Sequence, residues 1–134
     1  MNNPKPVTFK GKRLGIVALI ATQFLIGVIH VIFGFWLFSV EIFYPSVTLI
    51  YDVYTVIFGV LVLVFAVFIW RNKRIGWIGT IGVSIFVIVA DSLTVVDLPS
   101  IPGIPKGAAF FEIAYSVIIV LYLSQGSIRR VLSG

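Results

Sequence analysis

The chain has 134 residues, 60% of them hydrophobic and 11% charged, and a mean hydropathy of +1.14; so short a chain lacks the interior volume to hide that much apolar side chain in a water-soluble domain, and the excess must face lipid. The absence of cysteine excludes disulfides, thiolate metal sites and iron–sulfur clusters, and the single histidine, His30, excludes an intrachain pair of histidine haem ligands. A net charge of +5 and a pI near 9.8 would suit nucleic acid only as a basic face on a soluble module; here the basic residues flank apolar runs, so their expected partner is a lipid bilayer with anionic headgroups and not nucleic acid.

Four apolar runs follow one another: Leu14 to Val40, Val53 to Trp70, Ile75 to Val96 and Ala108 to Leu123. Each is about as long as a helix needs to cross a hydrocarbon core of roughly 30 Å at about 1.5 Å per residue. The predicted fold is all-α: a single domain over residues 1–134, built as an integral membrane bundle of four antiparallel transmembrane helices at 14–40, 53–70, 75–96 and 108–123.

The first run follows Lys5, Lys10, Lys12 and Arg13, as a signal peptide would. Its apolar stretch exceeds the roughly 7 to 15 residues of such a segment and ends in no small-x-small cleavage site, so it reads as an uncleaved helix. On it His30 shares a face with Gln23, Gly27 and Gly34, a stripe of small residues where another helix can approach closely. The linker EIFYPSVTLIYD is expected to lie in the interface or to meet a partner, because its apolar side chains outnumber its charges. In the second helix Tyr54 stands beside Thr55, one turn after Tyr51. Trp70 and Trp77 bracket the RNKR turn, while Trp36, Phe43, Tyr44 and Tyr51 gather toward the other side, as rings at headgroup level do.

The third helix opens with GWIGTIG, and Gly76, Gly79 and Gly82 predict close helix packing. The stretch lacks the GxGxxG order of a nucleotide fingerprint and follows a turn rather than a strand. Farther on, Asp91 continues a stripe through Thr80 and Ser84. Pro99, Pro102 and Pro105, at every third position of DLPSIPGIPKG, favour extended backbone and stop the helix near Val96. Gly103 permits a turn there, and Gly107 is expected to let the fourth helix begin close to its neighbour. On that helix Glu112 shares a face with Ala108, Ala109, Tyr115 and Ser116, and the basic segment QGSIRRVLSG follows as a linker.

Placing both termini and RNKR on one side of the membrane gives that side nine of the ten lysines and arginines, leaving only Lys106 opposite. By the positive-inside rule that side is cytoplasmic, so the chain is expected in the cell membrane, multi-pass, with both ends inside.

Counting inward from the basic residues, Arg13 to His30, Tyr54 to Arg71, Arg74 to Asp91 and Glu112 to Arg129 each span 17 residues. At about 1.5 Å per residue the four polar groups lie about 25 Å from the inner charge layer, in the outer third of the membrane. His30, Tyr54, Asp91 and Glu112 therefore form a candidate polar cluster, since acids inside a bilayer are costly unless paired or protonated. Four roles fit it: a structural polar layer, a contact with partner subunits or lipid headgroups, a proton or cation path, and a metal site. The last lacks any close ligand motif such as HxxxH or ExxH. No catalytic residue, cofactor or metal ligand is expected.

GVIHVIFGFWLF in the first helix, YTVIFGVLVLVFAVFIWRNKRIGWIGTIG across the inner hairpin and the ending VLYLSQGSIRRVL resemble the pattern of small, uncharacterised four-helix integral membrane proteins common in archaea and bacteria. The resemblance covers most of the chain and implies the four-helix fold, with no catalytic residue to carry over. The expected function is that of a non-catalytic accessory or structural subunit, bound to other membrane subunits of a hetero-oligomeric complex such as a respiratory or monooxygenase-type oxidoreductase. The alternative is a small homo-oligomeric proton or cation transporter or channel that uses its intramembrane acids.

Overall fold

The computed structural model describes residues 11–43 and 49–132 together with residues 5, 8 and 9. It is all-helical but for one small hairpin, β1 (Thr8–Phe9) paired antiparallel with β2 (Lys12–Arg13). Gly11 between them has φ +78°, a left-handed conformation that glycine adopts without a Cβ clash. Helices α1 (Leu14–Phe43), α2 (Leu49–Trp70), α3 (Arg74–Val95) and α4 (Lys106–Ser124) follow, and a short α5 (Gly126–Leu132) ends the described chain. With 30, 22, 22 and 19 residues, α1 to α4 are each long and apolar enough to cross a membrane. Their outward faces carry Ile32, Phe35, Trp36, Ile57, Val89 and Leu121, all exposed, as lipid-facing surfaces require.

Three boundaries differ from the sequence expectation. Helix α1 continues to Phe43 and α2 already begins at Leu49, which takes Glu41 and Asp52 out of the predicted linker and into helices. Asp52 sits in the first turn of α2, where the exposed amide ends of the helix favour a carboxylate. The belt residue Tyr44 lies outside the described residues. The segment expected as a basic linker forms α5: Ile128 and Leu132, four apart, turn inward while Arg129 and Arg130 stay exposed. They complete an apolar floor with Ile16, Leu19, Ile69, Ile119 and Leu123.

Helix α1 packs along α2, α3 along α4, and α2 joins the two pairs through α3, whereas α1 and α4 approach each other only sparingly. Glycine decides how close the first pair comes. A Cβ at Gly27 would lie 2.6 Å from Leu63 Cγ and 3.0 Å from the Gly59 carbonyl oxygen, and one at Gly34 would strike Val56. Gly76 has the same effect between α3 and α2, since a Cβ there would stand 2.5 Å from the Ile69 amide nitrogen, and Gly79 admits the Phe65 ring. Gly82 does not take part: it is exposed, and a Cβ would meet nothing within 4 Å. Steps of three residues drift by roughly 60° each around a helix, so the third glycine has rotated off the interface that the first occupies. Gly107 is equally open, so the start of α4 needs no glycine for close approach.

Both turns at the ends of α2 and α3 use the same stop. Asn72 (φ 56°) and Asp97 (φ 60°) take the left-handed conformation just past the helix. The next amides reach back five residues, Lys73 to the Phe68 carbonyl at 2.8 Å and Leu98 to that of Leu93 at 2.9 Å. Asp97 is then held to Lys106 at 2.8 Å, Ser100 Oγ donates to the Ala90 carbonyl at 2.7 Å, and Ile104 is buried, so the proline-rich strap folds back over α3. At the other end Lys12 Nζ donates to Asn72 Oδ1 at 2.9 Å, and Trp77 Nε1 donates to the Leu123 carbonyl at 2.9 Å. Trp77 is thus half-buried and tied to α4, more strut than headgroup anchor.

Candidate functional site

Each of the four long helices contributes to one partly open cavity of about 210 Å³ between them. Helix α1 brings Gln23, Ile26 and His30, α2 brings Phe58, Val62 and Phe65, and α3 brings Thr80 and Ser84 with Val83 and Val87. Helix α4 brings Glu112, Tyr115, Ser116 and Phe111. The stripes legible in the sequence, Gln23 with His30, Thr80 with Ser84 and Ser116 with Glu112, are the polar edges that meet here.

At one end of the cavity three titratable side chains adjoin. His30 Nδ1 lies 2.8 Å from the Ile26 carbonyl oxygen, which only accepts, so Nδ1 carries a hydrogen and donates it. That leaves Nε2 of a neutral ring with its lone pair toward Glu112, whose Oε1 is 3.7 Å away. Phe58 meets the imidazole edge to face, with ring centroids 4.9 Å apart, and fixes its plane. Asp91 is wholly buried, and no donor reaches either of its carboxyl oxygens. What stands beside it is the Glu112 carboxyl.

The hydrogen-bond accounting is therefore unusual. An imidazole nitrogen and two carboxyls face one another, all acceptors when unprotonated, and the surrounding protein supplies no donor to Asp91. Protons of its own would satisfy the set, one between Glu112 and Asp91 and one on the facing His30 Nε2 and Glu112 Oε1, which at 3.7 Å stand just outside hydrogen-bond length. Two such protons also make the trio electrically neutral, which removes the cost of charge inside a bilayer. Tyr54, the fourth residue at this depth, stands within electrostatic reach of Asp91 and Glu112, but its ring packs against Phe58 and Phe86 at centroid distances of 6.1 and 6.3 Å and its hydroxyl forms no hydrogen bond among the described residues.

A second acid pair was not foreseen from the sequence. Asp52, almost fully buried, lies beside Glu41 where α1 ends and α2 begins. Both residues fell within the expected outer linker, and only the continued helices turn them toward each other. Tyr51 lies within electrostatic reach of Asp52 on one side and of Asp91 and Glu112 on the other. Four of the five acidic residues are thus arranged as two carboxyl pairs, while Asp97 takes Lys106. No group of three or more His, Asp or Glu side chains among the described residues is arranged to hold a metal ion.

No protein-family model, curated protein or solved structure matches the chain.

Proposed function

We propose that this is a multi-pass protein of the cell membrane whose four spans alternate in direction, with both termini on the cytoplasmic side, and that it serves as a small homo-oligomeric proton or cation transporter. The observation that supports the reading is the trio His30, Glu112 and Asp91, whose mutual satisfaction requires protons that the rest of the protein does not supply. A group that must hold protons inside a membrane can also release them, and the pair Glu41 and Asp52 lies farther toward the strap end with Tyr51 between. The orientation rests on the nine basic residues assigned to one side. Reconstitution into liposomes enclosing a pH-sensitive dye tests it. Proton entry under an imposed membrane potential should be at least about tenfold above protein-free liposomes and should fall to the background in Asp91→Asn, whose amide keeps the shape and removes the exchangeable proton. Equal flux in wild type and Asp91→Asn would overturn the reading.

The second reading, a non-catalytic accessory subunit among unlike membrane subunits, is favoured by one observation. Val96 and Leu98 are exposed at 61% and 54% at the start of the strap, outside the spanning helices, where an apolar patch suits a neighbouring protein. Native mass spectrometry from a mild detergent separates the two: copies of this chain alone support transport, and fixed-ratio co-migration with unlike subunits supports the accessory role.

A further inference from the structure

We infer that the cavity is a binding site for a small organic ammonium bearing one aromatic ring, taken up sideways from the lipid in exchange for a proton. The inference rests on the transporter reading and names its substrate class.

The first ground is a set of polar groups with nothing to bond. Gln23, Thr80, Ser84 and Ser116 are 6%, 4%, 5% and 5% exposed, so each is more than nine-tenths buried. None of the four makes a hydrogen bond among the described residues, yet all line this one cavity and their polar atoms open onto it. Because these atoms are open to the cavity rather than sealed, whatever fills it can bond to them. Four of them from three different helices, around one space, are what a ligand with N–H groups would satisfy.

Charge and shape narrow the class. The cavity wall carries Glu112 with Asp91 behind it, and no lysine or arginine. The remaining wall includes Phe58, Phe65 and Phe111, aromatic rings of the kind that attract a cation. A volume of about 210 Å³ exceeds the roughly 150 Å³ that holds a benzene molecule and leaves room for a ring with a short charged arm. An anion would find no counter-charge there.

The path is the seam between α1 and α4. A groove of about 220 Å³ runs along it, lined by Gly15, Thr22 and Tyr122 and sharing Tyr115 and Ile119 with the cavity. Phe111, 81% exposed, stands on α4 at the cavity wall, facing the bilayer on its other side. The Glu112 and His30 side chains bridge the two helices. An ammonium placed beside Glu112 takes the position of a bridging proton, which leaves to water: the site gains one positive charge and loses one. The titratable groups facing this position are His30 on α1, Asp91 on α3 and Glu112 and Tyr115 on α4, with Tyr54 on α2 within electrostatic reach.

The probes are benzylammonium and its neutral analogue benzyl alcohol, titrated calorimetrically into the full chain in lipid nanodiscs, in two buffers of different ionisation enthalpy. Benzylammonium should bind saturably below about 1 mM and release about one proton per ligand, with benzyl alcohol at least about tenfold weaker. Glu112→Gln should abolish the proton release, while Ser84→Ala should weaken binding and keep it. If Glu112→Gln does not fold, the comparison of the two ligands on the wild type and Ser84→Ala decides. Equal binding of the alcohol, binding without proton release, or no binding of benzylammonium overturns the inference. The outcomes separate from those of the transporter test: proton flux without amine binding leaves transport standing and removes the substrate, and amine binding without flux does the reverse.

Discussion

Gly59→Val should force α1 away from α2 and destabilise the protein by about 3 kcal/mol or more, the upper end of what overpacking costs. A Cβ at Gly59 would lie 2.8 Å from the Gly27 carbonyl oxygen and 2.9 Å from the Val31 amide nitrogen. These are backbone atoms of a facing helix and cannot swing aside as a side chain would. Gly27 meets Gly59 reciprocally, so the two backbones touch at this level and neither helix can yield without losing the contacts on both sides of it. Gly82→Val serves as the control. Its Cβ meets nothing, so it should change stability by no more than about 0.5 kcal/mol. Thermal unfolding in detergent, followed by circular dichroism, measures both; equal melting points would mean that α1 and α2 do not approach as described.

Glu112→Ala should cost about 3 kcal/mol, and Glu112→Gln far less. Glu112 is the shared neighbour of His30 and Asp91, so its removal leaves both without their partner in a medium that offers no water. Glutamine brings an N–H₂ that donates to Asp91, supplying the donor that this carboxyl lacks, and its amide oxygen accepts from His30 when Nε2 is protonated. His30→Ala and Asp91→Ala should consequently be non-additive, because each perturbs the same carboxyl. The ordering of melting points, wild type near Glu112→Gln and well above Glu112→Ala, is the expected result. If Glu112→Ala melts with the wild type, the trio is three unrelated polar residues.

The spans and part of the site were readable from the chain itself, and particular residues show why. Long apolar runs bounded by arginines place α2, α3 and α4 to within a few residues, since hydrocarbon thickness sets the length. Equal spacing from the basic layer placed His30, Asp91 and Glu112 at one depth, and helical periodicity put Gln23, Thr80, Ser84 and Ser116 on the matching faces. What spacing does not contain is the rotation of one helix against the next: it predicted Tyr54 among the polar groups, whereas its ring is turned toward Phe58 and Phe86. Glu41 and Asp52 were missed because a stretch containing proline and two acids reads as a loop, although helices on both sides of it extend until the acids are face to face. Gly59, alone in an apolar run, carries no local sign that another backbone touches it. Helix α5 did carry one, the inward spacing of Ile128 and Leu132, hidden beneath its arginines.

That last helix is also the last of the described elements to leave the ribosome. Ile16, Leu19, Ile69, Ile119 and Leu123 have no cover at their open end until Ile128 and Leu132 arrive. The floor is closed only when this short segment packs against the paired helices. A fusion partner attached directly behind Leu132 would pull on the segment that covers this floor, so a reporter for this protein belongs at the end of a long spacer.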